Sequence, residues 1–288
     1  MNRWTERRRG FRRILTGDAC VYPASVFDPL SARIAADIGF EATMLAGSVA
    51  SMTVLGAPDL VVLTLTEFAE QCYRINRAGS LPLMVDADHG YGNALSVRRT
   101  IEELENAGVA AAMIEDTLLP TPFGAGDKVQ LISREEGVGK MKAALDGRAD
   151  PDFAVIARTS ALSIGGLDDT LARVKAYAAL GVDAIFLAGV KDKEQLEAVS
   201  RAVSIPIVMG STSPGLGARA YLASRRVRLC LLGHQPFLAS IRAVHDALKA
   251  LRDGVPPADV PGVASPKLVK DATRESDYDR WTKTFLAP

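Results

Sequence analysis

Leu83-Met84-Val85-Asp86-Ala87-Asp88-His89-Gly90-Tyr91-Gly92-Asn93 joins a short apolar run to a glycine-rich acidic turn. Behind it, residues 94–107 place apolar side chains at helical spacing, and Gly108 stands where a helix C-cap belongs. A second apolar run follows at 111–115 and again ends in acids, Glu115-Asp116. This is a strand–turn–helix–strand unit of about thirty residues. Its charged residues collect where each strand hands over to the next segment.

The same unit recurs in both directions. Strands are predicted at 20–24, 43–45, 83–86, 111–115, 153–157, 184–187, 207–209 and 229–232. Amphipathic stretches are predicted at 29–38, 65–78, 94–107, 135–145, 167–180, 193–203, 216–224 and 236–251, and Gly39 and Gly181 repeat the capping signature of Gly108. Eight strand–helix pairs in roughly 250 residues predict an α/β fold of the (β/α)8 barrel type. The alternative is a doubly wound open sheet, but no Gly-x-Gly-x-x-Gly follows the first strand. Residues 1–253 are assigned to the barrel and its N-terminal helix, and 254–288 to a C-terminal arm. Gly254-Val255-Pro256-Pro257 and Pro261 to Pro266 read as extended, and Tyr278, Trp281 and Phe285 then recur at helical spacing. Such a helix is expected to dock on its own barrel or on a partner subunit.

Composition narrows the class. The 288 residues carry 34 Lys+Arg against 34 Asp+Glu, a formal net charge of zero, with 48% hydrophobic residues. A nucleic-acid partner is not expected, because such proteins show a basic excess. No apolar run reaches the roughly 18 residues a membrane span needs, so no membrane partner is expected. Cys20, Cys72 and Cys230 are scattered, forming neither a disulfide framework nor a zinc pattern, and a reducing cytoplasmic location is the default expectation. The N-terminus holds Arg3, Arg7, Arg8, Arg9, Arg12 and Arg13. It faintly resembles an export or transit signal, but Thr16-Gly17-Asp18 interrupts the apolar region such a signal requires. The preferred reading is an amphipathic helix with Trp4, Phe11, Ile14 and Leu15 toward the core.

Barrel chemistry sits at the C-terminal ends of the strands. That rule gathers Gly47-Ser48, Asp86, Asp88, Glu115, Arg158 and His234 on one rim. Carboxylates alone would repel one another. A divalent cation resolves this, and an oxygen-only set suits Mg2+ or Mn2+ better than zinc. Arg158 offers a fork for a substrate carboxylate. Each piece also has an ordinary reading. Asp86 and Asp88 could cap the helix near Asn93. Glu115-Asp116 could be a solvated loop, Arg158 a structural ion-pair partner, His234 a core histidine and Gly47-Ser48 a turn. Capping does not explain the acidic turn and Glu115 together.

These residues carry a resemblance. Ser25 to Ala32, Gly47-Ser48-Val49-Ala50, Asp86 to Asn93, Ile114-Glu115-Asp116 and Ala157-Arg158-Thr159 are similar to the isocitrate lyase/phosphoenolpyruvate mutase superfamily. Glu115 to Pro120, Glu135-Glu136-Gly137-Val138-Gly139-Lys140 and Gly233-His234 look most like its bacterial oxaloacetate decarboxylase branch. The lyase branch carries a Cys-Gly-His loop after the fourth strand, and residues 117–130 contain neither cysteine nor histidine. The Lys/Asn pattern of the phosphonate-processing branch is not found there either.

The resemblance implies an α/β barrel with a helix swapped between subunits, assembled as a homotetramer (a dimer of dimers). It implies Mg2+, with Asp86 as direct ligand and Asp88, Glu115 and Asp59 holding its waters. Gly47 and Ser48 would bind the C1 carboxylate of a small keto-acid substrate, and Arg158 and His234 would contact that substrate. The implied reaction is decarboxylation of oxaloacetate to pyruvate and CO2 through an enolate, with His234 orienting the C4 carboxylate or protonating C3. The alternatives are a lyase or hydrolase of another α-keto or phosphonate acid, and a non-catalytic barrel. Ser160-Ala161 and the stretch 211–217 depart from the branch pattern, which leaves the substrate range open.

Overall fold

The apolar runs become strands. In the computed structural model, which describes residues 3–126 and 128–286, eight parallel strands form one sheet in sequential order. They are β1 Ala24–Ser25, β2 Thr43–Leu45, β3 Leu83–Asp86, β4 Ala111–Glu115, β5 Ala154–Thr159, β6 Ala184–Leu187, β7 Ile207–Met209 and β8 Val227–Cys230. Nearly every strand residue is buried, as a parallel sheet wrapped in helices requires. Val21, just ahead of β1, bridges Leu229 of β8; its N–H donates to Arg228 O at 2.8 Å and its carbonyl accepts from Cys230 N–H at 3.0 Å. The circuit thus closes, and the fold is the α/β barrel type that the sequence predicts. β5 and β8 are displaced by one or two residues from their predicted positions, and β1 keeps only Ala24 of the predicted 20–24.

The helices are α1 Arg3–Thr16, α2 Pro29–Asp37, α3 Gly47–Leu55, α4 Leu65–Ala78, α5 Ala94–Asn106, α6 Arg134–Gly147, α7 Ala161–Ile164 and α8 Gly166–Ala178. They continue with α9 Lys193–Ala202, α10 Arg219–Ser224, α11 Gln235–Arg252, α12 Pro266–Thr273 and α13 Glu275–Phe285. Gly39, Gly108 and Gly181 adopt left-handed φ of 90°, 85° and 89° beyond α2, α5 and α8, as their capping role demands. At Gly108 a side chain is doubly excluded, because an added Cβ would lie 2.8 Å from the Trp4 ring.

The arginine-rich N-terminus is the amphipathic helix α1, with Phe11 and Leu15 buried. Its arginines reach the N-terminal ends of the middle strands. Arg8 is 5% exposed and donates to Val109 O at 3.0 Å and to Asp150 at 2.7 Å. Arg12 pairs with Asp183 at 2.5 Å and donates to Phe153 O at 2.9 Å. This end of the barrel is therefore closed by structural ion pairs, which leaves the C-terminal ends of the strands for chemistry.

The chain divides into two compact units, the first ending at Gly233 and the second beginning at His234. The second unit holds α11, the helix read as the eighth of the barrel, together with the arm. Within it Leu238, Ile241, Val244, Leu248 and Leu251 lie exposed along α11. Tyr278 and Trp281 of α13 meet edge-on at 5.1 Å. Among the described residues, no helix is long and apolar enough to cross a membrane.

Arg8→Met strands the Asp150 carboxylate and the Val109 carbonyl. Urea unfolding is expected to show a loss of about 3–5 kcal/mol, the usual cost of breaking one side of a buried pair. Burial pushes Asp150 up, but hydrogen bonds from Arg8 and from Asp152 N–H outweigh it and hold the carboxyl below its ordinary range. A lowered carboxyl stabilises above its unfolded pKa, about 3.9 for Asp, and that stability is lost as pH falls. Acid destabilisation below about pH 4 should therefore be steeper in wild type than in Arg8→Met.

Candidate active site

Three neighbouring strands deliver the central groups. Asp86 ends β3, Glu115 ends β4, and Arg158 lies on β5 directly opposite Glu115 in the register. The Arg158 guanidinium pairs through Nη1 with Asp86 Oδ2 and through Nη2 with Glu115 Oε2 at 3.2 Å. Glu115 also accepts from Thr117 Oγ1 at 3.0 Å. On β6, Phe186 is the register partner of Arg158, and the guanidinium carbon stands 5.3 Å from the centre of its ring. Asp116 points the other way, into the wall, accepting from Arg173 at 3.1 Å and from the Tyr177 hydroxyl at 2.8 Å. Glu115-Asp116 is thus divided between site and scaffold, and neither is a solvated loop residue.

The turn after β3 brings in Asp88. Its backbone is left-handed, with φ of 47° at Asp88, 79° at Gly90 and 60° at Tyr91. The Asp88 carboxylate packs on Gly47, where an added Cβ would lie 2.5 Å from Oδ1. Gly47 is therefore a close-approach glycine and opens α3. That helix has no side-chain cap at Ala46, so the N–H groups of Gly47 and half-buried Ser48 lack intrahelical partners. Asp59 is exposed between α3 and α4, near enough for its charge to act on Asp88. His234 begins the second unit, immediately ahead of α11. The contacts described around Arg158 all come from the first unit.

The electrostatics follow from this crowding. Burial, reinforced by the charges of Asp86, Glu115 and Asp59, pushes Asp88 up to about 8 against the opposing pull of Arg158. Burial also raises Glu115, with Arg158 countering it. His89 is 6% exposed, and burial with the nearby Lys140 charge lowers it to about 4, so its imidazole is neutral near pH 7. Asp86 Oδ1 and Arg158 Nε are both buried without a hydrogen-bond partner. Three carboxylates against one guanidinium, with one buried carboxylate oxygen unsatisfied, fit a hard divalent cation. With Arg158 paired to Asp86 and Glu115, no group of three or more His, Cys, Asp and Glu side chains among the described residues is arranged as a ready-made metal site.

The sequence therefore located Asp86, Asp88, Glu115, Arg158 and Gly47 in one neighbourhood. Arg158, expected as a free fork for substrate, is held by two carboxylates, because it is the cation nearest to them. Sequence reasoning missed Thr117 and Phe186. The one available signal for Phe186 was register, since it follows β5 by one strand at the level of Arg158. It also missed α3 as a helix. Gly47-Ser-Val-Ala-Ser-Met-Thr-Val-Leu55 has no polar stripe, so it shows no helical periodicity.

Eight sequential parallel strands, with acids on the third and fourth and an arginine on the fifth, define a (β/α)8-barrel protein with an acidic site suited to a divalent cation. The chain belongs to the phosphoenolpyruvate phosphomutase family, which it matches over residues 11–252. It is 55% identical over 271 residues to the oxaloacetate decarboxylase of Bradyrhizobium diazoefficiens, covering 94% of each chain. Among solved structures it resembles the phosphoenolpyruvate phosphomutase of Streptomyces platensis subsp. rosaceus, at 29% identity and a TM-score of 0.85, with 97% of this chain and 99% of that one covered. It also resembles an oxaloacetate acetylhydrolase, at 27% identity and a TM-score of 0.82 over 95% and 97% of the two chains.

Asp88→Asn replaces a carboxyl that takes up a proton on folding with a neutral amide, at a left-handed position that asparagine tolerates well. In metal-free protein near pH 7 the change should remove the cost of that proton uptake and raise the melting temperature by about 2–4 °C, the response to roughly 1 kcal/mol in a domain of this size. Added Mg2+ should then stabilise the variant less than wild type. Thermal scans in EDTA and in Mg2+ check both statements.

Proposed function

We propose that this chain decarboxylates oxaloacetate to pyruvate and CO2 with the help of Mg2+, Mn2+ being the alternative ion. The observation that carries the reading is the joint placement of Asp86, Glu115 and Arg158 at the ends of β3, β4 and β5, in a chain 55% identical to a relative of that name. Asp86 would hold the ion directly, and Asp88, Glu115 and Asp59 would hold its waters. When bound, the ion supplies a Lewis acid for the C1 carboxylate and C2 carbonyl oxygens of the substrate.

The chain's own groups do the rest. The N–H groups of Gly47 and Ser48, at the start of α3, receive the C1 carboxylate. Arg158 supplies positive charge for the oxygen that becomes negative. Cleavage of C3–C4 releases CO2 and leaves its electron pair in the C2–C3 enolate. A proton added at C3 gives pyruvate. His234, four residues beyond the end of β8, orients the C4 carboxylate or donates that proton. The loop 117–130 contains neither cysteine nor histidine, which supports decarboxylation over a lyase reaction that needs a thiol acid there. The backbone pins the ends of this loop together, Leu118 N–H donating to Gln130 O at 2.8 Å.

The exposed apolar line on α11 supports assembly into a homotetramer with an exchanged helix. The three cysteines are free and buried, which suits a reducing cytoplasmic setting.

Oxaloacetate loss, followed by absorbance with purified protein and Mg2+, tests the activity. Pyruvate should form, and EDTA or Asp86→Ala should return the rate to the background of the free ion. Equal rates in wild type and Asp86→Ala would overturn the reading and direct attention to 2-methylisocitrate, malate-type acids and phosphonopyruvate. Light scattering should give about four times the 30.7 kDa chain mass, and a monomer would overturn the assembly.

A further inference from the structure

Lys140 belongs to the Glu-Glu-Gly-Val-Gly-Lys run on α6, and the reaction proposed above gives it no role. It is 3% exposed, and its ammonium donates to the His89 carbonyl at 2.9 Å. Among the described residues no carboxylate forms a salt bridge with it. Burying an ammonium is costly, and a methionine of similar length would fill the same space without that cost. The charge-assisted bond to His89 O is therefore what the lysine adds.

That carbonyl is one of three in succession. Asp88 O accepts from Glu115 N–H on β4 at 2.8 Å, His89 O from Lys140 on α6, and Gly90 O from Thr100 Oγ1 on α5 at 3.0 Å. Thr100 is fully buried, and its single hydroxyl proton is shared with Ser96 O at 2.9 Å. The three carbonyls lie in the turn where Asp88 and Tyr91 adopt left-handed backbone. Non-glycine residues keep such a conformation only where the surroundings over-determine it.

We propose that Lys140, assisted by Thr100, is a positioning residue: it clamps the turn 86–93 so that the Asp88 carboxylate stays over Gly47 in the place that cation binding requires. This rests on the Mg2+ reading of the site. The geometry gives the proposal a distinctive sign. Lys140 is a positive charge close enough to act on Glu115 and Asp116. Removing it on electrostatic grounds alone would tighten Mg2+ binding. Losing the clamp would weaken it.

The test titrates Mg2+ calorimetrically into wild type, Lys140→Met and Thr100→Val, with amide hydrogen exchange followed on the same samples. Lys140→Met is expected to weaken Mg2+ binding about tenfold, because a fixed carboxylate is lost although a positive charge is removed. Thr100→Val, which changes no charge, should weaken it in the same direction. In both variants exchange should accelerate across 86–93 and stay unchanged in β6 and β7. Unchanged or tighter Mg2+ binding in Lys140→Met, or unchanged exchange at 86–93, would overturn the clamp. Should Lys140→Met fail to fold, Thr100→Val alone decides, with the same outcomes. Wild type that takes up no Mg2+ would overturn the metal reading, and exchange at 86–93 would then decide the clamp.

Discussion

The rim of this barrel concentrates like charge where water is scarce. Asp86, Asp88 and Glu115 gather at two adjacent strand ends, and among the described residues Arg158 is the cation that forms salt bridges there, to Asp86 and Glu115. Parallel β pairing imposes this. Neighbouring strand ends lie about 4.8 Å apart, so acids placed at the ends of β3 and β4 cannot avoid each other. The protein tolerates the repulsion in two ways. Arg158 bridges Asp86 and Glu115, and the Phe186 ring beneath it steadies the guanidinium. Asp88 is left with a carboxyl that holds its proton far above the ordinary range. A site this unfavourable without a counter-ion is poised to bind one, and the same feature that destabilises the resting fold generates affinity.

The rest of the structure offsets that cost at a distance. At the N-terminal end of the barrel, α1 contributes Arg8, Arg9 and Arg12 to Asp150, Asp152 and Asp183. These pairs, with the Arg8 hydrogen bond to Val109 O, tie the first helix to the entrances of β4, β5 and β6, the strands whose exits build the site or flank it. The wall behind Glu115 is fixed in the same manner, by Asp116 with Arg173 and Tyr177. Gly137 makes room for that tyrosine, since an added Cβ would lie 2.3 Å from its hydroxyl. One acid of the Glu115-Asp116 pair is thus neutralised inside the scaffold while the other remains at the rim.

Much of this was legible in the sequence. Five of the eight strands, β2, β3, β4, β6 and β7, have the predicted bounds, because their apolar runs are short and end at polar residues or glycine. The acidic set was legible because catalytic residues of a barrel come from strand ends, and that rule links residues distant in sequence. What stayed hidden depends on partners. Arg158 has the same letter whether it is free or held by two acids. Lys140 and Thr100 look like ordinary helix residues until the turn folds back against them. α3 escaped because a helix without a polar face has no period to read. Val21 was counted as part of the first strand, yet it bonds only across the closure of the barrel, a relation between the first and last strands that no local pattern encodes.

The turn 86–93 shows how this fold separates chemistry from specificity. Its left-handed residues fix Asp88 through backbone bonds to β4, α5 and α6, none of which needs a substrate. The loop 117–130, whose ends are joined by Leu118 N–H donating to Gln130 O at 2.8 Å, carries neither cysteine nor histidine. A family that changes its reaction can therefore alter the loop while the cation platform stays rigid, since catalytic groups must hold their geometry far more closely than a covering segment. In this chain the loop presents Phe123 and two glycines where the lyase branch presents a thiol, and Phe123 is fully exposed. Decarboxylation releases CO2 by itself and needs only a proton at C3. A loop without cysteine or histidine is compatible with that chemistry, provided that another group supplies the proton.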